Sequence, residues 1–167
     1  MEAQFQLGYK GIVALLARSG IKIYTDIVKE NDVCEITSGM DQNIIHQYPL
    51  TSRGKAIGVY AISVNAEGSK SMKYMSSVEV LEFKKFSKSK DSTFSPWNQS
   101  NDPELNMWRK TVIKQIAKNL PLTEEVYKAI AVDNEESSIE DFQKNTLLDR
   151  SKRPSESSIE NLLTTKI

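Results

Sequence analysis

The stretch from Asp102 to Pro121 constrains the fold most, because its apolar residues recur at three- and four-residue steps over a long interval. The repeating residues are Leu105, Trp108, Val112, Ile116 and Leu120. Asp102 is suited to cap free amides at the start of a helix, and Pro121 pushes the residue before it out of helical geometry. The pattern therefore predicts one long helix whose apolar face packs against a core.

A row of lysines lies on the opposite side of this predicted helix. Lys110, Lys114 and Lys118 recur every four residues, with a rise of about 6 Å between neighbours. Such a row is typical of a solvated helix face, and it also suits a track of phosphate groups. Arg109 falls by helical angle near the apolar stripe, so its charge needs an anion from the protein or from a ligand. Periodicity alone leaves these alternatives open.

The composition is typical of a soluble globular protein, with 39% apolar and 26% charged residues in a chain of 167. The one cysteine, Cys34, and the one histidine, His46, exclude an intrachain disulfide and a Cys/His zinc site. No apolar run reaches the roughly 18 residues of a membrane span, and the N-terminus lacks a basic-then-apolar signal segment. We therefore expect a cytoplasmic protein that has no membrane partner.

The charges are unevenly distributed, although the net charge is zero. Residues 1–132 carry 17 basic and 14 acidic side chains, whereas residues 133–167 carry 5 basic and 8 acidic ones. A mildly basic body with an acidic tail is compatible with nucleic-acid binding. We expect residues 1–133 to form the core and residues 134–167, which are acidic and rich in serine, to be a disordered tail.

Outside the long helix, the sequence predicts a small curved antiparallel sheet. Alternating residues favour strands within 21–36. Residues 56–64 and 69–75 flank the turn Ala66-Glu67-Gly68, which predicts a β-hairpin. Residues 40–53 show no clear period and are assigned to a loop.

Three shorter helices complete the predicted α+β fold. Apolar periodicity favours a helix over residues 5–19, and a serine cap favours another over 76–86. We expect the second to direct Val78, Leu81 and Phe86 inward. Acidic residues after Thr123 favour a last helix through Val132.

No catalytic constellation is present in the sequence. It contains no Gly-x-x-x-x-Gly-Lys-Ser/Thr loop, no Gly-x-Gly-x-x-Gly and no nucleophile elbow. With one histidine and one cysteine, the sequence offers very few residues from which a His-based catalytic triad could be built. Acidic pairs such as Glu79 with Glu82 stand at helix starts, where the helix dipole explains them. We expect no catalytic residue, no metal and no cofactor, with an unrelated small enzyme as a remaining alternative.

Three blocks of sequence occur in a recognisable order. The first is QLGYKG from Gln6, continuing as ARSG from Ala17; the second is GVYA from Gly58. The third contains PW at Pro96, MWRKT from Met107 and KNLP from Lys118. Together, over about residues 5–135, they resemble the RecT family of phage single-strand DNA annealing recombinases, in spacing as well as in residue type.

The resemblance implies a small α+β core that binds single-stranded DNA and anneals complementary strands without a nucleotide cofactor. It also implies an annealed duplex intermediate, a homo-oligomer in the form of a ring or filament, and a 5′–3′ exonuclease partner, in a bacterial host or from a prophage. Members of the family usually carry roughly a hundred further residues before the QLGYKG block. We therefore expect a shortened member. A remnant that acts only as an interaction or inhibitory subunit is the alternative.

A protein that anneals any sequence has to hold strands by their phosphates and leave the base edges free to pair. Beside the lysine row, Arg109 and Thr111 would donate directed hydrogen bonds to phosphate oxygens. We therefore expect the anion of Arg109 to be DNA. Tyr9 or Trp97 would offer a stacking surface, with core packing as the alternative for both. The predicted DNA-binding residues are Tyr9, Lys10, Arg18, Arg109, Lys110, Thr111, Lys114 and Lys118.

Overall fold

The computed structural model describes residues 7–87 and 89–134. These residues form helices, a small antiparallel sheet and a separate strand pair, so the predicted α+β class is confirmed. The elements are α1 (Tyr9–Arg18), β1 (Lys22–Lys29), β2 (Val33–Thr37), β3 (Asn43–Gln47), β4 (Ala56–Val64), β5 (Lys70–Ser76), α2 (Ser77–Lys84), α3 (Asn106–Ala117) and α4 (Glu124–Asn134). Asn134, which the sequence assigned to the tail, ends α4; the rest of the predicted tail lies outside the described residues.

The three-stranded antiparallel sheet has β4 in its centre, between β1 and β5. The predicted hairpin of residues 56–75 is confirmed as the pair of β4 and β5. Its turn is held by Asn65, whose side-chain oxygen accepts hydrogen bonds from the amides of Glu67 and Ser69. This local bonding explains why the hairpin is visible in the sequence.

The strands β2 and β3 form a second antiparallel pair. The assignment of residues 40–53 to a loop was therefore wrong, because β3 lies within them. In β3, Ile44 and His46 are half-buried, whereas Ile45 is 46% exposed. An apolar side chain on the exposed face removes the polar–apolar alternation by which a strand is recognised.

Gln42 joins this second pair to the outer edge of β5. Its Nε2 donates to the carbonyl oxygen of Lys70 at 2.7 Å, and its Oε1 accepts from the amide of Met72 at 3.1 Å. The side-chain amide thus pairs with the strand much as a neighbouring peptide group would. This bidentate contact helps to hold β3 over the sheet.

One face of the three-stranded sheet packs against α1 and α3 to form the core. Every second residue of the strands faces it, as period-two alternation requires. Full burial of such aliphatic side chains stabilises the fold by about 1.5–3 kcal/mol each. The core includes Ile12, Leu16, Ile23, Ile27, Val59, Ala61, Met75, Val112, Ile113 and Ile116.

The helix α1 begins at Tyr9, later than the predicted start near residue 5. Gly8 precedes it with extended backbone (φ −65°, ψ 162°) and accepts hydrogen bonds from the amides of Gly11 and Ile12. Gly8 therefore serves as the N-cap rather than as an interior residue. Leu7 packs against Gly11, where an added Cβ would lie 2.6 Å from its Cδ2.

The helix α3 is shorter at both ends than the sequence predicted. Leu105 adopts the left-handed conformation (φ 56°), which separates the turn after Asp102 from the helix that starts at Asn106. Asp102 still binds a free amide, because its Oδ2 accepts from Met107 N at 2.9 Å. The left-handed backbone directs Leu105 into the core, where it is 7% exposed.

The helix α2 starts as expected but faces a different way. Ser76 and Glu79 form a reciprocal capping box at its N-terminus. The expectation that Val78, Leu81 and Phe86 face inward was wrong: all three are exposed, and Val80 is the fully buried residue. The box sets the first turn, which rotates Val80 onto the sheet, and the helix ends before Phe86.

Candidate nucleic-acid interface

Three of the predicted DNA-binding side chains are exposed cations. Lys10 and Arg18 belong to α1, and Lys118 immediately follows α3. Burial lowers the pKa of Lys118, and the nearby charge of Lys73 lowers it further. An anion beside these two ammonium groups would relieve their repulsion. The surface between Lys118 and Lys73 of β5 is therefore suited to a phosphate.

Lys110 and Lys114 do not form the exposed row that the sequence predicted. Their ammonium groups lie 2.8 and 2.5 Å from Oδ2 of Asp133 in α4, and the lysine side chains are only 14% and 17% exposed. Oδ1 of the same carboxylate accepts the amide of Leu7. Burial raises the pKa of Asp133, but the lysine hydrogen bonds outweigh it, so the pKa lies below 3.8. Asp133 thus joins α3, α4 and the segment that leads into α1.

Arg109 has an anionic partner within the protein, Asp26, whereas the sequence analysis expected this anion to be DNA. Its Nη1 donates to the carbonyl oxygen of Thr25 at 2.7 Å, and its Nη2 lies 3.2 Å from Oδ1 of Asp26. The guanidinium group therefore ties α3 to β1. Phosphate binding by Arg109 would have to compete with this pair.

Thr111 and the two candidate stacking residues are also used by the fold. Thr111 is 7% exposed and donates from Oγ1 to the carbonyl oxygen of Met107 one turn earlier. Tyr9 and Trp97 are half-buried and pack against the core. Core packing, the alternative considered for both aromatics, describes their place in this structure.

Sequence reasoning missed a polar cluster centred on Asp32, whose side chain is fully buried. Arg53 donates to both carboxylate oxygens, at 2.9 and 2.6 Å, and His46 Nε2 lies 2.9 Å from Oδ2. His46 Nδ1 lies 3.2 Å from the hydroxyl of Tyr60. The hydrogen bonds from Arg53 are the main reason that the pKa of Asp32 lies far below 3.8.

The contacts of this cluster hold several strands together. Arg53 also stacks over the ring of Tyr48, 3.9 Å from its centroid, and donates to the carbonyl oxygen of Ile27. The cluster therefore connects β1, β3 and β4 with the segment before β4. Across the described ranges, no group of three or more His, Cys, Asp or Glu side chains is arranged to hold a metal ion.

Comparison with known proteins assigns this α+β domain, in which α1 and α3 are basic, to a family. The RecT family model matches residues 1–147. The chain is 26% identical over 135 residues to Protein RecT of Escherichia coli (strain K12), an alignment that covers 80% of the chain and 48% of that protein. The chain therefore spans about half the length of this curated relative. It belongs to the RecT family.

In the part of the chain that the structure describes, no helix is long and apolar enough to cross a bilayer.

Proposed function

We propose that the protein binds single-stranded DNA and anneals complementary strands without ATP, in homologous recombination of the phage type. Membership of the RecT family over residues 1–147 carries this proposal. The protein would act in the cytoplasm as a homo-oligomer, a ring or a filament, together with a 5′–3′ exonuclease that exposes the strands.

The chemistry of annealing needs charge and position rather than a catalytic group. Base pairing supplies the free energy of the product, so the protein has to collect strands and leave their base edges accessible. The exposed cations Lys10, Arg18 and Lys118 support this role, because they can bind phosphates of any sequence. Lys110, Lys114 and Arg109 then serve mainly to build the surface.

The test mixes the protein with two complementary oligonucleotides that carry a donor and an acceptor dye, in the absence of ATP and metal ions. We expect annealing to be faster than the spontaneous reaction, at every sequence tested, and to slow as salt is raised. A mismatched pair of strands is the control. An annealing rate equal to the spontaneous rate would overturn the proposal.

The alternative of an inhibitory subunit predicts a different result in the same assay. Here the chain alone would leave the rate unchanged, but would slow annealing by Protein RecT when the two are mixed. A dose-dependent loss of that activity, with no annealing by the chain itself, would favour the alternative.

A further inference from the structure

A groove of about 200 Å³ lies on the outer face of the three-stranded sheet, opposite the helices. Its floor is a cross-strand row in which Tyr24 lies opposite Ile62, and Ile62 opposite Met72. Ile44 of β3 forms one wall, and Lys70 lies at the rim. The groove therefore offers an apolar, partly aromatic floor beside a cation.

The contact of Gln42 with β5 helps to hold the groove open. Gln42 lines it and binds the edge of β5 through both ends of its amide, at 2.7 and 3.1 Å. Together with the contact of His46 with Tyr60, this bidentate contact holds β3 beside the sheet. A ligand that enters the groove consequently meets a preformed wall and avoids much of the ordering cost of binding.

Tyr24 is unusual among the aromatic residues of the sheet. It is 58% exposed, whereas Tyr60 and Tyr74 in the next row are half-buried. Tyr60 contacts His46 of β3, so that part of the sheet is covered. The ring of Tyr24 therefore presents stacking surface to solvent at the open end of the outer face.

Two cations flank this open end. Lys22 of β1 and Lys70 of β5 both lie opposite Val64 of β4, one row beyond Tyr24, and both are exposed. Two ammonium groups on either side of an apolar floor complement a ligand that has a flat apolar ring with anionic groups next to it. A nucleotide has this distribution of charge and surface.

We propose that this groove is a second contact site for single-stranded DNA, which holds one unpaired base against Tyr24 and the adjacent phosphates at Lys22 and Lys70. The volume favours a single ring, because sites for larger ligands usually enclose roughly 300–1,000 Å³. The inference rests on the proposed function for the identity of the ligand. The groove differs from the surface of Lys10, Arg18 and Lys118 in its location, which is the sheet face opposite α1 and α3. It also differs in binding a base as well as phosphates.

Photochemical crosslinking tests the location directly. An oligonucleotide with 5-iododeoxyuridine at one position is bound to the full chain, irradiated, and the crosslinked peptide is identified by mass spectrometry. We expect the crosslink at Tyr24. The exposed Tyr127 of α4, which is 52% exposed and far from this sheet face in the fold, serves as the matched control.

Binding isotherms with variants test the mechanism. Tyr24→Ala should weaken binding of oligothymidylate by about 5- to 150-fold, because stacking on an aromatic ring is lost, and Tyr24→Phe should keep most of the affinity. An abasic oligonucleotide with the same number of phosphates should bind wild type and Tyr24→Ala equally. Tyr127→Ala should change neither affinity, and the melting curves should show that all variants are folded.

The outcomes separate this inference from the proposed function. Annealing without a crosslink at Tyr24, and with unchanged affinity of Tyr24→Ala, overturns the groove and leaves annealing intact. A crosslink at Tyr24 without annealing supports the groove and overturns the annealing activity. Absence of any binding to oligothymidylate overturns both.

Discussion

Arg109 and Asp26 form an ion pair that joins the central helix to an edge strand, with Nη2 3.2 Å from Oδ1. Both side chains are about one-fifth exposed. Burial raises the pKa of Asp26, and hydrogen bonds from Tyr48 and from the amide of Ile27, together with Arg109, lower it to a greater extent. The pair is therefore part of the folded structure at neutral pH rather than an open binding group.

Replacement of Arg109 should reduce stability. We expect Arg109→Ala to lower the free energy of unfolding by about 1–3 kcal/mol, because it leaves Asp26 and the carbonyl of Thr25 without this donor. Urea denaturation gives the value. Arg18→Ala, an exposed arginine, should stay within about 0.5 kcal/mol of wild type. Equal stability of the two variants would show that the pair does not hold α3 to β1.

Replacement of Asp133 should lower the free energy of unfolding more than replacement of either lysine that it binds. Asp133→Asn removes the charge between Lys110 and Lys114, and we expect a loss of about 3 kcal/mol. This is the lower end of the range for breaking a buried pair, because the lysine stems can swing out towards water. Glu124→Gln, which breaks the exposed pair with Lys128 on the same helix, is the control and should cost below about 1 kcal/mol. Similar losses in both variants would argue against the buried role of Asp133.

Stability should fall in acid. The pKa values of Asp26, Asp32 and Asp133 all lie below 3.8 in the folded protein, so the folded state binds fewer protons than the unfolded state. Their contribution is therefore complete above about pH 5 and is lost as the pH falls through the folded pKa values. Urea midpoints between pH 7 and pH 2.5 measure this loss. Asp32→Asn should be less stable at pH 7 and should show a flatter dependence; an unchanged slope would contradict the assignment.

Salt dependence should distinguish the exposed cations from the two lysines that Asp133 binds. With three phosphates bound at Lys10, Arg18 and Lys118, the logarithm of the affinity for single strands should fall with the logarithm of the salt concentration at a slope near −2. Alanine at any one of them should reduce the slope by about 0.7 without loss of stability. Alanine at Lys110 or Lys114 should instead lower the melting temperature. A reduced slope for Lys110→Ala, with normal stability, would show that the lysine row does bind DNA.

The contact of Gln42 with β5 should be visible in hydrogen exchange. Gln42→Ala removes the acceptor of the Met72 amide, and we expect that amide to exchange faster while amides of the β1–β4 pair keep their protection. Gln99→Ala, in the exposed loop before α3, is the control. Unchanged exchange at Met72 would mean that the groove wall is held by other contacts.

The elements that sequence reasoning predicted correctly are those with a strong local signal. The β4–β5 hairpin has alternation and turn residues within one segment, and the serine cap predicted for α2 lies directly before the helix, at Ser76. The apolar stripe of α3 is also local, and Trp108, Val112 and Ile116 are buried as its period requires. Such patterns depend on near neighbours, so a single sequence reveals them.

The partners of the charged residues could not be predicted in this way. Arg109 meets Asp26 from 83 positions away, and Lys110 meets Asp133 from 23. Helical angle correctly placed Arg109 near the apolar stripe and left its anion open, and only the packing of α3 beside β1 decides between the choices. The prediction that the lysine row is exposed was wrong for Lys110 and Lys114 for a related reason. Periodicity shows which side of a helix is polar, but not whether another element covers it.

The carbonyl groups at the free edge of β1 have a consequence for how copies of the chain can associate. Arg109 binds the carbonyl of Thr25, Arg53 binds that of Ile27, and Gln42 occupies the opposite edge of the sheet at β5. Part of each edge is therefore occupied by a side chain, which leaves fewer peptide groups for a strand from another molecule, the usual route to uncontrolled β-aggregation. A strand from another molecule would have to displace these side chains before it could extend the three-stranded sheet, so the contacts that hold the fold together also make its edges harder to pair.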